Sequence, residues 1–204
     1  MVEVLEIKSD AATEAWQPLF NGRDFDGWEH VGKGRFVIED ECLKTEGGMG
    51  LLWFTPQKFG NCTIRIVYKT SEQQSNSGVF VRIAEKPVDE WFAVHHGHEV
   101  QICDTEKDYH ATGAVYSFAA PTSAPMNPAG LWNTMEIVLN ESRITVSLNG
   151  TRTTEFESEQ SVPKREHWYE PQEGWRPNAG YVGLQNHGDG DTVYFKEVSV
   201  KKSR

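Results

Sequence analysis

What most constrains this chain is the spacing of its apolar residues, which recur at every second position in short runs and nowhere at a helical interval. Ile144, Val146 and Leu148 alternate with Arg143, Thr145, Ser147 and Asn149. Ile64, Ile66 and Tyr68 alternate with Thr63, Arg65 and Lys69. Strand side chains point to alternate faces, so each run reads as a half-buried β-strand. The same pattern predicts strands over 36–39, 42–44, 51–54, 61–70, 76–84, 97–104, 112–118, 131–140, 143–149, 181–187 and 192–201. Asn149-Gly150 predicts a tight hairpin turn. Near the end the apolar phase slips between Val193/Phe195 and Val198/Val200, which predicts a bulge near Lys196.

About a dozen strands with turns every ~8–12 residues specify an all-β sandwich or barrel. No repeat or linker divides them, so a single domain is expected over residues 18–202 after a lead-in at 1–17. Leu19 to Trp28 carries Asn-Gly and Asp-Gly pairs between aromatic anchors, the pattern of a turn pinned to the core. Pro121, Pro125 and Pro128 exclude regular structure from the loop that holds them. Residues 157–178 form a long polar loop with Trp168, Tyr169 and Trp175, and loops of this length are commonly functional or mobile.

At 204 residues, a chain buries roughly 70% of its unfolded surface on folding and needs no disulfide or metal to hold together. Cys42, Cys62 and Cys103 are odd in number and widely spaced, so buried free thiols are expected. A formal net charge of −10 argues against nucleic acid, which demands basic patches, and suits a neutral solute. No apolar run reaches membrane-spanning length. Met1 to Ala15 is acidic and lacks the apolar centre of a secretory leader, the pattern of a cytoplasmic protein or of a secreted or periplasmic one whose leader has been removed.

The strand Glu99-Val100-Gln101-Ile102-Cys103-Asp104 sends Val100 and Ile102 one way and Glu99, Gln101 and Cys103 the other. Asn76 and Arg82 share the polar parity of a second strand, and Gln185 and His187 that of a third. On one curved sheet these would bring together an acid, an imidazole, a guanidinium and amides. That inventory suits a sugar, because amides and Arg bind hydroxyls directionally and Glu or His moves protons. Arg82 has the alternative of bridging Glu99 to hold two strands. His95, His96 and His98 form a local cluster that could hold a metal with Glu99. Asp189-Gly190-Asp191 is either a calcium site or a polar hairpin tip, and the loop aromatics either stack on sugars or pack on one another.

Seven segments, in order, resemble the 3-keto-disaccharide hydrolase domain family. They are Leu19-Phe20-Asn21-Gly22 to Gly27-Trp28, Ser75 to Arg82, Glu99-Val100-Gln101-Ile102 to Asp104, Thr112 to Tyr116, Gly130-Leu131-Trp132-Asn133, Leu148-Asn149-Gly150 and Gly180 to Gly188. His98 departs from the family pattern, which places an aromatic residue there, and Phe195-Lys196-Glu197 stands where relatives tend to have Phe-Arg-Asn. The resemblance implies a concanavalin-like jelly roll of two antiparallel sheets. It also implies cleavage of 3-keto-glycosides by proton abstraction at C2, β-elimination and hydration. Glu99 and His187 are then the expected catalytic pair. Asn76, Arg82, Gln101, Asp104, Asn133, Trp168, Trp175 and Gln185 are the expected sugar contacts. His98, Glu99 and His187 are the ligands available to a divalent metal. Two other readings stay open. A conventional glycosidase needs paired carboxylates, whereas positions 101 and 103 carry an amide and a thiol and Asp104 has the wrong parity. A non-catalytic carbohydrate-binding module would use the same aromatics.

Overall fold

The computed structural model describes residues 15–172 and 174–203; most of the expected lead-in therefore lies outside the described residues. In chain order the strands are β1 (Gln17–Pro18), β2 (Trp28–Gly32), β3 (Arg35–Glu39), β4 (Cys42–Glu46), β5 (Gly50–Phe54), β6 (Cys62–Thr70) and β7 (Asn76–Ile83). After a short helix α1 (Phe92–His96) come β8 (His98–Cys103), β9 (Asn133–Asn140), β10 (Arg143–Leu148), β11 (Thr151–Glu157), β12 (Tyr181–Asn186) and β13 (Val193–Lys202). They build a jelly-roll sandwich of two antiparallel sheets. The larger sheet runs β11-β10-β9-β6-β13-β4-β3, with β1 added against β13, and the smaller runs β2-β5-β12-β7-β8.

The period-two runs explain the layering. Ile64, Ile66, Ile137, Leu139, Ile144 and Val146 of the larger sheet pack against Val79, Val81, Val100, Ile102, Val182 and Leu184 of the smaller. Each such side chain removed from water contributes roughly 1.5–3 kcal/mol. Asn149 and Gly150 both take positive φ, 49° and 81°, the geometry of the tight hairpin turn. The pairing of β13 with β6 slips between Phe195 and Glu197, where the bulge was expected. Around residues 19–28, Asn21 Oδ1 accepts from the Arg23 and Asp24 amides and Trp28 Nε1 donates to the Leu19 carbonyl at 2.8 Å. The three cysteines are buried and free. Among the described residues no helix is long and apolar enough to cross a membrane.

Four elements differ from the sequence pattern. Residues 112–118 form no ladder strand: Val115 makes isolated bridges to Val100 and Ala119, and positive φ at Gly113 and Ser117 folds the segment into turns. β2 and β11 add strands where the alternation is weak. α1 forms inside the 85–96 loop, because Ala93 and Val94 find an apolar surface at Leu51, Trp53, Phe80 and Ile83.

The largest correction concerns Arg82. The β7–β12 pairing shifts register between Tyr181 and Gly183, and Arg82 sits at φ 55°, a left-handed conformation rare for a non-glycine residue. This kink carries Ile83 to the apolar cluster under α1 and sends Arg82 elsewhere. Its guanidinium donates to the carbonyls of Glu141, Ser142 and Arg143 in the β9–β10 turn, with 1% of the residue exposed. It therefore neither shares a face with Asn76 nor pairs with Glu99; it caps a turn of the opposite sheet. Arg82→Ala strands these carbonyls and should cost on the order of 3 kcal/mol. For a chain of this size that is a fall of roughly 6–12 °C in melting temperature. A thermal melt within a degree or two of wild type would show that the cap is unimportant.

Candidate active site

The smaller sheet has one face in the core and one turned outward. On the outward face the register sets Phe80 opposite Glu99, Gly78 opposite Gln101 and Asn76 opposite Cys103. One half is apolar and lies under α1. The other half is polar and forms a cleft of about 500 Å³ whose walls include Asn76, Glu99, Gln101, Gln185 and His187, together with Tyr116 and Tyr169. The three strand pairs expected to converge do so, except for Arg82.

Glu99 owes its position to Gly78. A Cβ on Gly78 would fall 2.1 Å from Glu99 Oε1, so the missing side chain is the space in which the carboxyl lies. Glu99 is 4% exposed. Burial disfavours its charged form and raises its pKa from 4.5 to about 8, against a smaller downward pull from the Gln185 amide. The Gln101 amide, oriented by its neighbours, donates to the Ser77 carbonyl and to Glu99 Oε1, both at 3.1 Å. The carboxyl is thus held uncharged at neutral pH by loss of water, and held in place by amides.

His187 follows the end of β12 and is half exposed. Its Nδ1 lies 2.8 Å from Asp191 Oδ2, and Asp191 Oδ1 accepts from the Asn76 backbone amide at 2.9 Å. Asp191 is therefore fixed by β7 and in turn orients the imidazole, leaving Nε2 free. The intervening Asp189 accepts from the Gly48 amide at 2.7 Å, so the two aspartates of the Asp-Gly-Asp tip serve different partners.

Other expected site residues lie elsewhere. Asp104 has the parity opposite to Glu99; its Oδ1 accepts from Thr112 Oγ1 at 2.6 Å. Asn133 is on β9 of the larger sheet, where its Oδ1 accepts from the Asn127 amide and Asn149 Nδ2 and ties two loops together. Trp168 packs on Trp91 at 4.8 Å and does not itself line the cleft, and Trp175 lies beside a different cavity. His98 precedes Glu99 on the same strand and so faces the other way, against Phe118 and Phe156 at 4.9 and 5.1 Å. His96 is packed on Phe92 at 4.5 Å. The histidine cluster therefore does not join Glu99 and His187, and among the described residues no three His, Cys, Asp or Glu side chains converge as a metal site. Tyr169, one of the loop aromatics expected either to stack on sugars or to pack on one another, lines the cleft. Asp191, expected in a calcium site or a polar hairpin tip, instead partners His187, four positions away across two glycines. Tyr116 carries no role in the sequence pattern.

The two-sheet fold recurs in several solved structures. A Parabacteroides distasonis protein described as a candidate glycosyl hydrolase matches with a TM-score of 0.75 at 24% identity, over 93% of this chain and 94% of that one. A Bacillus subtilis protein with a galectin-like fold matches at 0.62 and 13% identity, over 92% and 94%. A carbohydrate-binding module from Bacillus subtilis matches at 0.60 and 11%, over 86% and 96%. In sequence, a 3-keto-disaccharide hydrolase of Bacteroides thetaiotaomicron is 24% identical, over 98% of this chain and 82% of that protein. The family itself is defined by residues 15–201, which match the model of the 3-keto-alpha-glucoside-1,2-lyase-like domain. The chain belongs to that family.

Glu99 also makes a prediction about stability. Its folded pKa lies above its unfolded one, so its proton favours the native state below about pH 4.5, and that contribution is lost as pH rises toward about 8. Glu99→Gln removes the penalty of ionising a buried carboxyl. The variant should gain stability relative to wild type between pH 5 and pH 9, by on the order of a few kcal/mol. Melting temperatures of both proteins across that range test this, and a difference independent of pH would contradict a buried, titrating Glu99.

Proposed function

We propose that the protein is an enzyme that cleaves 3-keto-glycosides, and that the cleft around Glu99 and His187 is its active site. Family membership supports the substrate class. The observation that carries the mechanism is a carboxyl kept protonated by burial in the same cleft as an imidazole oriented by a carboxylate. One group can give a proton, and the other is aimed to take one.

A ketone at C3 acidifies the hydrogen at C2. His187 Nε2 takes that proton, and the C2–H electron pair forms an enolate. Collapse of the enolate forms the C1–C2 double bond, restores the ketone and expels the C1 oxygen, which takes the proton of Glu99. Water then adds at C1, giving its proton to the Glu99 carboxylate, while C2 recovers a proton from His187. The sum is hydrolysis. The enolate oxygen needs a donor. Arg82 is committed to its turn, and the Tyr116 phenol, which burial keeps protonated, takes that role. Asn76, Gln101 and Gln185 offer amides to the sugar hydroxyls.

A conventional glycosidase is the competing reading, favoured by one observation: Glu106, on the connection after β8, also lines the cleft. The two are separated by turnover of a 3-keto-glucoside beside its unoxidised parent. Glu99→Gln and His187→Ala should each slow release from the keto substrate by roughly 10²–10⁴-fold, with Glu106→Gln within about twofold of wild type. Asp191→Asn should slow it as well, by freeing the imidazole. The wild-type rate should fall above about pH 8, as Glu99 loses its proton. Cleavage of the unoxidised glucoside, lost in Glu106→Gln, would establish the competing reading.

A further inference from the structure

The long loop after β11 turns an indole outward at the rim of the cleft. Tyr169, on this loop, and Trp91, just before α1, both belong to the cleft wall. Trp168 packs against each, with ring centroids 4.8 Å from Trp91 and 5.9 Å from Tyr169. The three rings form one aromatic cluster that begins in the cleft wall and ends outside it. Trp168 is its outer end and stays 65% exposed, although an indole gains much from leaving water.

This is not the exposure of a loose loop tip. Glu170 is 8% exposed and accepts from the backbone amides of Glu166 and His167 at 2.6 and 2.7 Å. Arg165 donates to the carbonyls of His167 and Trp168. On the other segment the Trp91 amide donates to Asp89 Oδ1 at 3.0 Å. Charged side chains thus pin the backbone of both tryptophans. A ring fixed before its ligand arrives loses little conformational freedom on binding.

The surroundings narrow what that ligand is. Glu166 and His167 beside the indole are exposed and polar, and exposed Asp89 flanks Trp91. The core of a protein contact is depleted of charge, whereas here a small aromatic surface stands among charged and polar groups. A pyranose ring has the matching form, with a face of C–H bonds and a rim of hydroxyls. Its slightly positive C–H hydrogens meet the negative face of the indole, and its hydroxyls keep polar side chains and water as partners.

Resting on the 3-keto-glycoside reading, we propose that Trp168 is a sugar-stacking platform at the rim of the cleft, taking a further ring of a glycan whose keto unit lies beside Glu99 and His187. Chain length is then read outside the catalytic pair, and oligosaccharides bind better than simple glycosides.

Calorimetric titration with unoxidised cellotriose, maltotriose, methyl glucoside and phenyl glucoside reads binding apart from reaction. At least one trisaccharide should bind about fivefold or more tightly than methyl glucoside. Trp168→Ala should remove that advantage with little change in melting temperature, and Trp168→Phe, which keeps an aromatic face, should restore part of it. With the 3-keto derivatives of the same trisaccharide and of methyl glucoside, the advantage should appear in KM, with kcat alike for the two. A Trp168-dependent preference for the trisaccharide without turnover of any keto substrate would support the platform while overturning the proposed reaction. Turnover with equal KM for long and short substrates would do the reverse. The platform would also be overturned by trisaccharides that bind no better than methyl glucoside, by a preference unaffected by Trp168→Ala, or by tighter binding of phenyl glucoside. Self-association abolished by Trp168→Ala, in place of a chain-length preference, would assign the indole to a protein contact instead.

Discussion

The withdrawal of one carboxyl from water is the interaction on which the rest of this site depends. Glu99 lies over Gly78, where no side chain competes for the space, and the cost of ionising there raises its pKa to about 8. A solvated glutamate on the same strand would be ionised at neutral pH and useless as a proton donor. The protein carries this as a stability penalty that grows as pH rises toward about 8. The flanking amides of Gln101 and Gln185 keep the carboxyl in place without neutralising the effect of burial.

The sandwich supplies a rigid frame for that arrangement. β7 does two jobs because of its kink at Arg82. Before the kink its outward residues, Asn76 and Gly78, belong to the cleft. Beyond it, Ile83 joins the apolar patch beneath α1, while Arg82 crosses to the β9–β10 turn of the other sheet. The long loop after β11 is tied down by Arg176, whose bonds to the carbonyls of His95 and Gly97 fix it to the α1–β8 junction. The same loop contributes Tyr169 to the cleft and Trp175 to the second cavity. Strands carry Asn76, Glu99, Gln101 and Gln185, and the pinned loop shapes their surroundings.

The structural neighbours include a carbohydrate-binding module as well as a candidate hydrolase, and one sandwich serves both. What distinguishes an enzyme is the state of individual groups. Here the buried carboxyl of Glu99 beside the Asp191-oriented imidazole of His187 is what supports the proposed catalytic reading.

Local sequence determined whatever depends on the two-residue period of a strand. Glu99 and Gln101 facing together, Val100 and Ile102 in the core, Gln185 and His187 on one side, the bulge near Lys196 and the Asn149-Gly150 turn follow from nearest-neighbour sterics and patterning. The same parity turns His98 away from Glu99, against the expectation that the two could share a metal. Tertiary structure decided what depends on contacts between distant segments. Arg82 left its expected face because a left-handed residue breaks the period. Asp104 and Asn133 were taken by Thr112 and by the loops around Asn127 and Asn149. Asp191 is held against His187, four positions away, by the Asn76 amide at the start of β7. The pKa of Glu99 belongs to this second group as well, since a carboxyl's charge is set by how much water surrounds it, and here that is set by strands far apart in the chain.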